Sequence, residues 1–122
     1  MKYMLIMQTN PNIWDALPEE ERNEVMSGHG AFLKTIQESG EMISTHALAD
    51  PANSASVRRH DGVPAVTDGP FAEAKEYMGG YYLVDCESRE RAIELALQIP
   101  DTRINGLGIE VRPVMFSAGS DM

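Results

Sequence analysis

A single histidine in the first predicted helix is the residue best suited to chemistry. His29 lies on the apolar side of that helix, and histidine side chains exchange protons near neutral pH. Gly28 and Gly30 flank it, and each glycine costs a helix interior about 1 kcal/mol relative to alanine. Two such residues indicate a close backbone approach or a local opening of the helix. We expect His29 to act as a general acid or base, or else to be a hydrogen-bonded histidine at the boundary between helix and sheet.

Asp68 is the second candidate, because it opens the turn-forming segment Asp68-Gly69-Pro70-Phe71. A carboxylate at the start of such a segment can accept backbone amides and hold the turn. Alternatively, Asp68 faces a cleft and orients His29 for catalysis. Phe71 is expected to anchor this segment in the core.

The next stretch of the chain concentrates charge and two tyrosines. Glu73, Lys75 and Glu76 are either solvated or line a polar substrate-binding site in which Lys75 binds an anionic group. Tyr81 and Tyr82 point to opposite faces of one predicted strand. One of them packs in the core or an interface and the other supplies a hydroxyl group, and we assign Tyr81 to the substrate-binding set.

Composition excludes several functions. The net charge is −9 and the Lys and Arg residues are scattered, so nucleic acid is not an expected partner. The three histidines, His29, His46 and His60, have no spacing of i, i+4, so no metal is expected. No glycine-rich phosphate loop opens a helix, so no cofactor is expected. The single cysteine, Cys86, and the lack of a long apolar run predict a cytoplasmic protein without membrane contact.

Hydrophobic periodicity predicts the elements that position these residues. Strands are expected over residues 2–8, 41–49, 79–86 and 107–116, with helices from 18 to 39 and from 88 to just before Pro100. The Asp61-Gly62 pair predicts a hairpin between 56–60 and 63–67, and residues 9–17 read as a loop. One domain is expected over residues 1–116, followed by a frayed tail over 117–122.

This order predicts an α+β fold of the ferredoxin-like split β-α-β type with an inserted hairpin. Two helices would cover one face of an antiparallel sheet. The first strand and the strand over 79–86 are apolar on both faces, so the uncovered face would expose an apolar patch. We therefore expect an isologous homodimer; the alternative is a monomer in which loops 50–56 and 68–78 fold over that face.

The segment from Asp68 to Glu76, with Gly79, Gly80 and Tyr81 after it, resembles the motif of the DGPF domain, a branch of the YCII-related family. Ala74 departs from that motif, in which threonine is usual. The resemblance extends over nearly the whole chain and implies a dimeric α+β barrel. In the wider family a helical histidine at the position of His29 has been suspected as an active-site residue.

The resemblance leaves the activity open, since family members are mostly of unknown function. One reading is a small-molecule enzyme that uses acid–base chemistry, with His29 and Asp68 in a cleft near the dimer interface. The other is a non-catalytic accessory module that binds a ligand or a protein, since some members accompany sigma factors of the extracytoplasmic-function type.

Overall fold

The computed structural model describes residues 1–71 and 74–119, which form six strands and three α-helices. Two of the predictions, the role of Glu73 and the last residues of the tail (120–122), concern residues outside this described part. The strands are β1 (Lys2–Thr9), β2 (Met42–Ala47), β3 (Ala55–His60), β4 (Val63–Asp68), β5 (Tyr77–Asp85) and β6 (Gly108–Pro113). The helices are α1 (Pro11–Ala16), α2 (Glu19–Ser39) and α3 (Arg89–Leu97). Two short 3-10 turns span Pro51–Asn53 and Pro100–Arg103.

Four strands form an antiparallel sheet in the order β2-β5-β1-β6. In the register, Leu5 of β1 lies between Tyr82 of β5 and Val111 of β6. The mixed α+β fold with antiparallel strands confirms the predicted ferredoxin-like class. Long-range pairing of β1 with both β5 and β6 brings the two halves of the chain into one core.

The core lies between one face of this sheet and helices α2 and α3. Its buried side chains come from both layers: Tyr3, Leu5, Phe32, Ile36, Tyr82, Val84, Cys86, Ala92, Leu95, Ala96 and Ile99. The opposite face, called the open face below, carries Met4, Ile6, Tyr81 and Leu83, because side chains alternate along β1 and β5. Ile6 is buried there, whereas the other three are half-buried.

Helix α2 begins after Pro18 and carries Glu19, Glu20 and Glu21 in its first turn, where carboxylates interact favourably with the helix dipole. It ends at Gly40, whose φ of 79° is in the left-handed region that favours glycine. The sequence predicts an apolar stripe of Val25, Phe32, Leu33 and Ile36 on this helix. Leu33 is half-buried and the other three are buried, which confirms the stripe. His29 falls in the middle of that stripe and therefore faces the sheet.

Helix α1 shows that part of the predicted loop over 9–17 is helical, so that prediction was wrong. Asn10 caps it: its side-chain oxygen accepts a hydrogen bond from the Asn12 amide at 3.1 Å. Pro11 occupies a first-turn position, where its fixed φ suits a helix and its missing N–H costs nothing. The capping residue and the proline were therefore the signal for this element.

The predicted hairpin of β3 and β4 is present, with φ of 49° at Asp61 and 78° at Gly62, the values of a type I′ turn. It forms a separate two-stranded sheet, and nearly all of its residues are exposed. Phe71 is 62% exposed, and the Arg58 guanidinium lies over its ring. The distance from Cζ of Arg58 to the ring centre is 4.3 Å. The expected burial of Phe71 in the core was therefore wrong, because the cation covers its ring instead.

In the described part of the chain, no helix has the length and apolar character needed to cross a membrane.

Candidate functional site

His29 makes two short side-chain contacts, one at each ring nitrogen. Its Nδ1 lies 2.7 Å from the Tyr82 hydroxyl, and its Nε2 lies 2.6 Å from Oδ1 of Asp101. The two rings also stack, with centroids 5.9 Å apart and planes 13° from parallel. The His29 side chain is 22% exposed and that of Asp101 is 12% exposed. The three residues form a connected, mostly buried polar group, called the Asp101–His29–Tyr82 relay below.

Three separate elements position the relay. His29 comes from the middle of α2, Tyr82 from β5 at the centre of the sheet, and Asp101 from the 3-10 turn that follows α3. Gly28 lets that turn approach α2: a Cβ on this glycine would lie 2.9 Å from Cβ of Pro100. The predicted close approach beside His29 is therefore confirmed at Gly28, whereas nothing lies within 4 Å of a Cβ built on Gly30.

Hydrogen-bonding capacity fixes the protons of the relay. As a carboxylate, Asp101 can only accept, so Nε2 of His29 must carry the hydrogen. In a neutral imidazole Nδ1 is then an acceptor, and the Tyr82 hydroxyl donates to it. Burial, and then the negative charge of Asp101, raises the pKa of Tyr82 to about 12. Tyr82 therefore keeps its proton at neutral pH and can donate it in the hydrogen bond to Nδ1 of His29.

The relay forms part of the wall of an open cavity of about 590 Å³. The inner wall contains Met7, Val25, His29, Tyr82 and Asp101, all buried or half-buried. Asp15, Met26, Leu48 and Asp50 are exposed and form the rim. The other lining residues are Thr9, Pro11, Trp14, Thr45, His46, Ala47, Ala49, Tyr77, Gly79 and Leu107. A cavity of this size suits a small organic molecule, since ligand pockets usually measure about 300–1,000 Å³.

Of the predicted site residues that the structure describes, only one lines this cavity. His29 lines it, whereas Asp68, Lys75 and Glu76 are exposed and lie outside the lining. Tyr81 is half-buried on the open face, where its ring stacks on His46 with centroids 5.3 Å apart. The functional roles of these residues stay predictions. The carboxylate in contact with His29 is Asp101 rather than Asp68.

Sequence reasoning missed Asp101, and it assigned Tyr81 to the site, whereas the hydroxyl in contact with His29 is that of Tyr82. Asp101 is 72 positions from His29, so no local spacing links them. The pair of glycines around His29 indicated that something packs closely there, but it did not identify the turn at Pro100. Tyr82 pairs with Leu5, a core position, but this register is a feature of the fold and was not available from the sequence.

Metal-ligating side chains do not cluster in the described part of the chain: no three His, Cys, Asp or Glu residues there are close enough to hold one ion. The relay itself offers a proton donor, a proton acceptor and a carboxylate that stabilises positive charge on the imidazole.

A four-stranded sheet with two covering helices and a histidine–carboxylate pair beside a cavity of ligand size places the chain among small α+β proteins. Within that class the assignment is specific: the model of the YCII-related domain matches residues 1–116, and the chain belongs to this family. An uncharacterised protein of Rhizobium meliloti is 31% identical to it over 114 residues, which cover 93% of this chain and 92% of that protein.

Proposed function

We propose that this protein is an enzyme that moves protons on a small molecule, with the Asp101–His29–Tyr82 relay as its catalytic group. One observation carries the proposal: a histidine whose two nitrogens are held by a carboxylate and a phenol lines a cavity of ligand size. Catalytic acids and bases need a fixed orientation and a partner that stabilises the charged form. Both requirements are met at His29.

The proton path follows from the hydrogen bonds. A ligand group placed against the Tyr82 oxygen gives its proton to that oxygen while Tyr82 passes its own proton to Nδ1 of His29. The imidazole becomes positively charged, and Asp101 stabilises it across the 2.6 Å contact. The reverse steps return the proton to a different atom of the ligand. Such a proton shift, as in a tautomerisation, balances without any co-reactant.

Asp101 takes in this proposal the role that the sequence assigned to Asp68. Asp68 is the last residue of β4. The amide of the next residue, Gly69, donates a hydrogen bond to the Ser54 carbonyl at 2.6 Å. The turn-forming interpretation of Asp68 agrees with that position. As ligand contacts, Lys75, Glu76, Glu73 and Tyr81 stay predictions from the sequence and carry no step of this proposal.

Hydrogen–deuterium exchange into ligands tests the proposal even though the substrate is unidentified. Mixtures of metabolites are incubated with the protein in D₂O, and NMR detects carbon-bound hydrogens that are lost. We expect the wild type to label or convert at least one compound and His29→Gln not to. His60→Gln is the matched control, because His60 is exposed on the hairpin and should leave labelling unchanged. Equal labelling by wild type and His29→Gln would refute the catalytic role.

A non-catalytic binding module is the second candidate, and the hairpin favours it. Val57, Val63 and Val66 are each more than 60% exposed there, which is typical of a surface that binds another protein. A partner such as a sigma factor would occupy this surface. In the same screen, compounds that bind in the cavity but are neither labelled nor converted would support this module over the enzyme.

We further propose that two copies pair through the open face, because Met4, Tyr81 and Leu83 leave apolar surface there. Leu83→Arg should convert a dimer into a monomer in light-scattering measurements. Leu97→Arg is the control, since Leu97 is 67% exposed on α3, away from that face. A monomeric wild type would refute the pairing.

We also propose the cytoplasm as the location, in agreement with the single buried free thiol of Cys86.

A further inference from the structure

The cavity next to the relay has a one-sided distribution of charge. Asp15 and Asp50 lie at its rim and Asp101 in its inner wall. Among the described residues that line it there is no Lys or Arg, and His29 and His46 are the basic groups. The whole chain adds to this field, with a net charge of −9. A carboxylate or phosphate ligand would therefore be repelled by Asp15 and Asp50 at the rim and by the net negative charge of the chain.

The same cavity offers a large apolar surface to the body of a ligand. Trp14, Met7, Val25 and Leu107 form much of the wall, with Met26 and Leu48 at the rim. Methionine side chains adapt to ligands of different shape. An indole ring also attracts a cation over its face, so Trp14 and the rim carboxylates favour the same kind of ligand.

We infer that the ligand is a small cationic or uncharged molecule with an apolar body, and that the site discriminates against anions. The body packs against Trp14 and Val25, a hydrogen-bonding group meets Tyr82, and a positive charge, where present, lies near Asp15 and Asp50 at the rim. This inference rests on the proposed function in that it places the ligand in the same cavity. It also replaces the expectation, based on Lys75, that the site binds an anionic group.

A matched series of three compounds tests the inference. Phenylpropylamine, phenylpropanol and phenylpropanoate share one body and differ only in a cationic, neutral or anionic head. Trp14 is the single tryptophan of the chain and lines the cavity, so its fluorescence reports binding directly. We expect the amine to bind on the order of tenfold or more tightly than the carboxylate at low salt, with the alcohol between them. Added salt should reduce the preference.

A double variant of the rim shows whether the carboxylates cause the preference. The double variant Asp15→Asn, Asp50→Asn should bind the amine no more tightly than the alcohol. Asp61→Asn is the control, because Asp61 is exposed in the hairpin turn, and it should keep the preference for the amine.

Three results would overturn the inference: tighter binding of the carboxylate, equal binding of all three compounds, or no binding of any of them. The deuterium-exchange experiment is independent of this series. Loss of the charge preference with labelling intact refutes the inference and leaves the proposed function standing. A clear preference for the amine, together with labelling that His29→Gln does not alter, supports the inference and refutes the enzyme.

Discussion

Because the Tyr82 phenol is buried beside a carboxylate, its protonation contributes to the free energy of unfolding. Its pKa is raised from 10.0 to about 12, first by burial and then by the charge of Asp101. Between those values the folded protein holds a proton that the unfolded chain has lost. The unfolded state therefore binds fewer protons, so stability must fall as pH rises through this window.

Tyr82→Phe should remove this alkaline loss of stability. From about pH 9 to about pH 11, the wild type should lose about 1 kcal/mol of unfolding free energy through this residue, since one pKa unit corresponds to about 1.4 kcal/mol. Urea unfolding at both pH values measures the loss. Tyr81→Phe, on the opposite face of β5, is the control for general alkaline weakening. An equal pH dependence in Tyr82→Phe and wild type would contradict the prediction.

Hydrogen-bond energetics give a second prediction for the same group. Asp101→Asn replaces a carboxylate with an amide of the same size, so the fold should be kept. It removes the negative charge that stabilises a protonated His29. A buried hydrogen bond to a charged group contributes about 1.5–3 kcal/mol of stabilisation. Deuterium labelling of any ligand that the wild type turns over should drop by about tenfold or more, while Trp14 fluorescence still reports binding. Unchanged labelling would remove Asp101 from the relay.

At the scale of single residues, sequence was informative where a local pattern reports the environment. His29 was identifiable because a histidine on an apolar stripe, flanked by two glycines that weaken a helix, indicates a special environment. Asp101 gave no such signal, since its partner is brought to it only by the path of the chain after α3. Phe71 was misread because its apolar character predicts burial, whereas an arginine from the neighbouring strand covers it at the surface.

Among the elements, α2 carries two glycines that look alike in sequence and differ in the structure. Replacing Gly30 by alanine should stabilise the helix by up to about 1 kcal/mol, because nothing lies within 4 Å of the new Cβ. Replacing Gly28 places the Cβ 2.9 Å from a buried proline ring. Overpacking costs about 1–3 kcal/mol, which outweighs the gain in helix propensity.

Thermal and urea unfolding of the two alanine variants provide the comparison, each being the control for the other. Gly28→Ala should be the less stable and should also weaken ligand binding, because Pro100 precedes Asp101 and moves with it. If both variants were equally stabilised, the close packing of α2 on this turn would be wrong.

An ion pair joins the start of β2 to α3. Arg91 donates to both carboxylate oxygens of Glu41, at 2.9 and 2.8 Å, and also to Glu94 at 3.1 Å. Hydrogen bonding by Arg91 lowers the pKa of Glu41 below its ordinary value of 4.5, although burial opposes this. A depressed carboxylate pKa stabilises the fold above the ordinary pKa, and the effect is lost as pH falls through the folded value.

Glu41→Gln should therefore cost about 1 kcal/mol at neutral pH and less at acidic pH, where the wild-type carboxyl is itself protonated. Unfolding free energy from about pH 7 to about pH 3 should decline less steeply in the variant than in the wild type. Glu38→Gln is the matched control: its pair with Lys34 is 4.0 Å long and exposed, and exposed pairs contribute little. A cost at Glu38 equal to that at Glu41 would contradict this account.

Strands and long helices were predictable because their periodicity is set by one buried face. Turn chemistry gave the hairpin, since Asp61 and Gly62 both adopt positive φ. The short helix α1 was missed because six residues are too few for a clear apolar period, although Asn10 and Pro11 marked its start.

On the scale of the whole molecule, stability is unevenly distributed between the two sheets. The four-stranded sheet holds β1 and β5 in its middle and packs against α2 and α3. The β3–β4 hairpin pairs only within itself among the described residues, and its one buried side chain is Ser56. A lone two-stranded hairpin is marginally stable in water, so sequence could predict its existence but not what keeps it ordered.

Amide hydrogen exchange should separate these parts. Amides of β1 and β5 should exchange only through global unfolding, whereas those of β3 and β4 should exchange orders of magnitude faster through local opening. Repeating the measurement at several protein concentrations tests the assembly: hairpin protection should not rise with concentration, because the proposed dimer pairs through the open face and leaves Val57 and Val66 exposed. Protection independent of concentration and equal to that of β1 would instead make the hairpin part of the cooperative core, which its exposure on both faces argues against.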